Sequence, residues 1–280
     1  MQGSKRAIVT LSCLLLSSLA AAPATSGETG GDSAEQAIAA ALSGDHRVAT
    51  ESARDIYRHP QATLLFFGLQ PGMIVIEMWP GGGWYTAVLA PALGAEGHLI
   101  AATYSEAPPD YRPRVYRQFL NRLEANETVY GNVELHLYEP PKRTGLGPAA
   151  SADMVVTFRN AHNWINHEIS DTVFADMYAV LKPGGVLGFV QHRGKEDWDV
   201  EDSAPQGYVP ESAIIRLAEK AGFTLEARSE VNANPKDAKD YSKGVWSLPP
   251  TYRLEDEDRE FYTSIGESDR MTLKFVKPND

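Results

Sequence analysis

Residues 69–93, LQPGMIVIEMWPGGGWYTAVLAPAL, decide the fold. Pro71-Gly72 launches the run 73–78, apolar except for Glu77, too short for a buried helix and rich in the residues of a strand covered on both faces. The run closes on an acid, Glu77, and Pro80-Gly81-Gly82-Gly83 then turns the chain into the helical pattern 84–93. Glycines at such a turn let backbone approach a ligand closely, and the helix start offers free N–H groups. A tight connection with no ligand would use the same residues, so the turn needs support from elsewhere.

That support comes first from the alternation that follows. Strand patterns at 98–103, 133–138, 153–158, 186–190, 223–227 and 272–276 join the first, with helical patterns at 112–124, 171–181 and 210–221. In the helix 171–181 the apolar stripe is Val173, Phe174, Met177, Tyr178 and Leu181, and Lys182-Pro183-Gly184-Gly185 stops it. Alternating strands and helices imply an α/β, doubly wound, Rossmann-like sheet, mostly parallel, with its ligand crevice at the strands' C-terminal ends. No obvious helix separates the last two of the seven strands, so the final strand is expected to run in reverse. His192 and Arg193 follow the fifth strand and should face the same crevice as residues that follow the fourth.

Upstream, residues 1–24 carry Lys5 and Arg6, an apolar run, and Ala22-Pro23-Ala24, the layout of a cleavable signal peptide. The run holds four Ser or Thr and falls short of the roughly 18–20 apolar residues of a membrane span. A periplasmic or secreted protein without stable membrane insertion is expected. Residues 25–32 have the composition of a flexible leader, and 33–68 that of an N-terminal helical cover, with a capping-box spacing at Ser33 to Gln36 and a second helix signal at 52–67. The domain proper is expected at 69–280, interrupted by the polar and aromatic insertion 232–270, which is either a lid over the crevice or a structured insertion at the sheet edge.

Composition narrows the chemistry. With 280 residues, 43% of hydrophobic type and 22% charged, the chain can bury a sizeable core, and a net charge of −11 argues against nucleic-acid partners. The lone cysteine, Cys13, lies in the expected signal peptide, which excludes an intramolecular disulfide, a CxxC pair and a Cys-rich zinc site. A metal site joining His162 to His167 or Asp197 is not expected, because the 162/167 spacing does not share one helical face.

The acid that ends the first strand before a glycine loop, the LKPGG turn before the fifth strand and the reversed last strand resemble class I S-adenosylmethionine (SAM)-dependent methyltransferases. More narrowly, residues 58–91, RNAHNW at 159–164, YSKGVWSLPPTYR at 241–253 and DRMTLKFVKP at 269–278 resemble a group of exported bacterial proteins described as predicted methyltransferases. The resemblance implies SAM as cofactor. It sets Glu77 at the methionine end, with Gly81 and Gly83 as the second and third glycines of the loop. Trp79 stands where the first glycine is usual, and Tyr104, with Glu106 two residues on, where a carboxylate usually holds the ribose. Glu139 matches the acid that reads the adenine amino group, and Asn160 belongs to the same cofactor set.

The resemblance also places substrate-contacting residues after the fourth strand: His162 as base, Asn163 to orient an acceptor and Trp164 to stack on it, with His192 from the next strand end as a further catalytic candidate. A capping role for Asn160 and His162 and a core role for Trp164 would explain the same residues. The expected function is an exported methyltransferase with a small-molecule acceptor. A methyltransferase-fold ligand-binding protein is the alternative, and a secreted hydrolase, lacking a GxSxG elbow, the third.

Overall fold

The computed structural model describes residues 30–104 and 112–279. The expected signal peptide, most of the leader and Glu106 lie outside the described residues. Seven strands, β1 (Ile74–Met78), β2 (His98–Thr103), β3 (Val133–Leu137), β4 (Ala152–Phe158), β5 (Leu181–His192), β6 (Thr224–Ser229) and β7 (Arg270–Val276), form one sheet in the order β3-β2-β1-β4-β5-β7-β6. Every neighbouring pair is parallel except those of β7, which runs antiparallel to both β5 and β6. The reversed final strand therefore sits inside the sheet and leaves β6 as the edge.

Before β1 come α1 (Gly30–Leu42), α2 (Ala49–Ser52), α3 (Asp55–Arg58) and α4 (Pro60–Phe67). The leader's last residues thus open α1. The expected helix over 52–67 is broken in two, because Pro60 has no N–H to donate and disfavours helical backbone in the residue before it. His59 accordingly takes a left-handed φ of 39°, and α4 starts afresh with Pro60 in its first turn. α5 (Thr86–Leu93) links β1 to β2, and α6 (Arg112–Ala125) and α7 (Glu127–Tyr130) link β2 to β3. α8 (Ala161–Asn166) and α9 (Ser170–Val180) lead to β5, α10 (Val200–Ser203) and α11 (Glu211–Ala221) to β6, and α12 (Arg259–Ile265) lies before β7. Among the described residues no helix is long and apolar enough to cross a membrane.

Alternation along the strands divides the core. Ile76, Val155, Leu187, Phe189 and Leu273 face a layer holding Trp164, Phe174 and Ile214, while Val75, Met154, Val156 and Val190 face Leu64, Phe67, Ala87 and Val88. The fifth strand is longer than its apolar run, since Leu181 already pairs with Ala152 and His192 still pairs with Arg270. The LKPGG segment is an irregularity within it. Gly184, at φ 75°, donates its N–H to Lys277 O at 2.9 Å, so pairing with the chain after β7 holds the segment in the sheet. From β1 the chain winds outward to β2 and β3, then crosses to β4 on the other side. That reversal opens a crevice at the C-terminal ends of β1 and β4.

Candidate active site

Asn160, two residues after the end of β4, donates from Nδ2 to Met78 O at 2.7 Å and so ties the ends of β4 and β1 together. Its side chain does not cap α8. A cavity of about 220 Å³ lies beside this tie, and its lining includes Glu77, Trp79, Gly81, Asn160, His162, Asn163 and His192. Chain topology thus brings seven of the expected site residues together from three strand ends.

Glu77 is buried, and Thr86 Oγ1 donates to its Oε2 at 2.6 Å. Burial outweighs that hydrogen bond and the attraction of Arg122, pushing the carboxyl up to about 7. The glycine turn is held from outside by Arg122, which donates from Nε to Gly82 O at 3.0 Å and pairs with Glu51 of α2. Gly83 does not line the cavity. Its φ is 81°, and a Cβ there would meet Arg122 Cδ at 2.8 Å and Phe119 Cδ2 at 2.9 Å, so glycine is required by the approach of α6.

Trp79 has a left-handed φ of 44°. Its Nε1 donates to Tyr138 O at 3.2 Å, and its ring meets Tyr104 and Trp164 edge-on, each at 6.1 Å. The indole therefore extends from β1 over the ends of β2 and β3. Tyr104 packs there, and Glu139 forms an ion pair with Arg143 at the turn after β3; neither lines the cavity. Trp164 is fully buried against Phe174 and Phe189, a core role.

His162 and His192 lie with ring centroids 5.8 Å apart. Gln191 Nε2 donates to Gly207 O at 2.9 Å, an acceptor-only group that fixes the amide orientation, and lies 3.2 Å from His162 Nδ1. His162 Nδ1 then accepts, and the ring proton resides on Nε2. Burial lowers the His162 pKa to about 4, with Arg159 acting in the same direction. His192, hydrogen-bonded through Nδ1 to Ser268 Oγ at 2.5 Å, is also held well below the ordinary histidine range by burial and by His162. Both rings are neutral at pH 7. His167 is exposed and bonded to Asn163 O, Asp197 is exposed, and His59 is exposed with no side-chain capping bond. Among the described residues, no group of three His, Cys, Asp or Glu could hold a metal ion.

Sequence reasoning missed the basic wall. Arg58 and Arg159 line both this cavity and an adjoining groove of about 890 Å³ that also takes in Gly81, Gly82 and Arg122. Glu267 receives Arg54 Nε at 2.6 Å, Arg58 Nε at 3.2 Å and Arg270 Nη2 at 2.7 Å. Burial pushes its carboxyl up, but these guanidiniums dominate and hold it at about 2. An arginine inside the apolar pattern 52–67 was the available signal for Arg58. From the insertion, Trp246 reaches the inner cavity and Pro250 the outer groove.

No protein-family model matches the chain. Over 120 residues it is 30% identical to the ubiquinone/menaquinone biosynthesis C-methyltransferase UbiE of Hydrogenovibrio crunogenus, a match taking in 43% of this chain and 42% of that protein, less than half of each. Among solved structures it is similar to a SAM-dependent methyltransferase from Aquifex aeolicus, with 17% identity, TM-score 0.53, and coverage of 80% of this chain and 93% of that one. It is likewise similar to the 4+2 cyclase SpnF, with 14% identity, TM-score 0.57 and coverage of 89% and 94%. A putative methyltransferase from Bacillus halodurans gives 18% identity, TM-score 0.52 and coverage of 79% and 99%. The fold is that of the class I SAM-dependent methyltransferases.

Proposed function

We propose that the protein is an exported SAM-dependent methyltransferase acting on a small-molecule acceptor. The observation that carries this reading is the convergence, at the β1/β4 switch point, of a buried carboxyl, a glycine turn and two neutral histidines around one cavity. The curated C-methyltransferase relative supports it. Glu77, the backbone at Gly81 and Asn160 would hold the cofactor, which supplies an electrophilic methyl group when bound.

The chain's own work is placement and proton handling. Asn163 orients the acceptor, and His162 presents its Nε2–H as a hydrogen-bond donor. His192, neutral and adjacent, is the ring available to take a proton from the acceptor. Trp246 covers the cavity from the insertion, in the manner of a lid that excludes water.

Calorimetric titration with SAM and its demethylated product tests the reading: micromolar to millimolar binding is expected, and absence of both at millimolar concentration overturns it. One observation favours a second reading, a methyltransferase-fold binding protein without transfer. The Trp79 indole occupies the space over the ends of β2 and β3, fixed by Tyr138 O. The cyclase SpnF has a similar fold and is named for a different activity. Under that reading Trp79→Gly tightens SAM by about tenfold or more, a 1.4 kcal/mol gain; an unchanged or weaker affinity removes the obstruction.

A further inference from the structure

We propose that Arg159 and Arg58 form a receptor for an oxyanion, a carboxylate or phosphate carried by the acceptor. The acceptor assignment rests on the methyltransferase reading, whereas the anion site stands on the charges alone.

Four guanidiniums, those of Arg54, Arg58, Arg159 and Arg270, gather around one carboxylate, Glu267, which the first, second and fourth contact directly. Arg159 makes no side-chain hydrogen bond or ion pair among the described residues. Arg58 Nη1 and Arg54 Nη2 are buried without a partner. Nearby acids are committed elsewhere: Asp55 to Arg47, Asp269 to Lys239 at 3.0 Å, and Glu51 to Arg122. Glu77 faces the same cavity, but the cation that acts on its carboxyl is Arg122.

Arg58 is buried and Arg159 half-buried, and crowding four guanidiniums around the single carboxylate of Glu267 leaves positive charge in excess, which a fold selected for stability alone would remove. The backbone at Arg159 adds a left-handed φ of 65°, a strained conformation for a residue with a side chain. Both features make sense if a ligand completes the site. Arg58 and Arg159 stand where the inner cavity and the outer groove meet, so an anion there would lie at the entrance to the two histidines. A guanidinium fork suits the paired oxygens of a carboxylate or phosphate. A chain of net charge −11 does not acquire such a wall from its general composition.

Thermal melting and calorimetry with sodium phosphate and sodium malonate, against sodium chloride at equal ionic strength, test the site. Millimolar oxyanion binding and a raised melting temperature are expected for the wild type. Arg159→Gln should melt higher than the wild type without oxyanion, because one of four like charges crowded around a single carboxylate is gone, and lose about tenfold in oxyanion affinity; Arg159→Lys should keep part of it. Lys220→Gln, which removes an equal charge from the exposed pair with Asp171, should bind as the wild type does. No stabilisation beyond chloride, unchanged affinity in Arg159→Gln, or a lowered melting temperature for that variant overturns the site. Phosphate and SAM bound together support an acceptor anion. One-for-one displacement of phosphate by SAM means that the cofactor's own carboxylate fills the site, and overturns the acceptor assignment. If SAM fails to bind while phosphate does, the methyltransferase reading falls and the anion site stands.

Discussion

Glu77 and His162 face the same small cavity, and burial shifts both toward their neutral forms, which moves their carboxyl and imidazole pKa values in opposite directions. Glu77, raised to about 7 in the fold, binds a proton more readily there than in the unfolded chain, so its contribution is complete below pH 4.5 and is lost as pH rises through 7. Glu77→Gln should therefore be more stable than the wild type at pH 8 by up to ~3 kcal/mol, and equal to it near pH 4, in urea unfolding. A pH-independent difference would sink this account. His162, lowered to about 4, contributes stability that is present above pH 6.5 and lost as pH falls through 4. In His162→Gln the loss of stability over that window should shrink by up to ~3 kcal/mol, read from the same urea midpoints. That these residues share a site was legible from their places after strand ends. The proton position on His162 was not, because it depends on Gln191 and Gly207, 29 and 16 residues away from their respective partners.

At the scale of elements, the strands and most helices are legible because their apolar spacing reports directly which faces are covered. The breaks are less so. Gly188 in β5 looks like any small residue in an apolar strand, yet a Cβ there would meet Phe67 Cδ2 of α4 at 2.5 Å. The helix lies against the sheet at this point, and only a residue without a side chain admits it. Gly188→Ala should cost ~1–3 kcal/mol in thermal or urea unfolding, and pairing it with Phe67→Leu should recover part of the loss. Full additivity of the two substitutions would show that the contact is unimportant. The helix break at His59 was foreshadowed by Pro60, but the 52–67 periodicity concealed it. After the break Leu64 and Phe67 of α4 are buried, whereas before it Ile56 of α3 is exposed and Arg58 is the buried residue.

Across the whole molecule, Glu267 joins the segment before the sheet, through Arg54 and Arg58, to the last strand, through Arg270. Residues more than 200 positions apart thus share one buried carboxylate. Glu267→Gln should destabilise by ~3–5 kcal/mol, since it leaves several buried cations without their common partner. Because the folded carboxylate is held at about 2, its stabilisation is present above pH 4.5 and fades as pH falls through 2. Acid unfolding of the wild type and the variant should converge toward pH 2; a gap that persists there would refute the electrostatic origin.

The amino-acid sequence by itself determined the doubly wound sheet, its reversed last strand and the crevice end where Glu77, Gly81, Asn160, His162 and His192 meet. Each of these follows from local periodicity, turn residues and the handedness of strand crossovers. Tertiary structure alone decided where the Trp79 indole points, which carboxylate the arginines share, and that Arg159 stands near it without a direct ion pair among the described residues. Those facts depend on side chains brought together from distant parts of the chain. Electrostatic balance is a property of their spatial arrangement, which local sequence patterns do not encode.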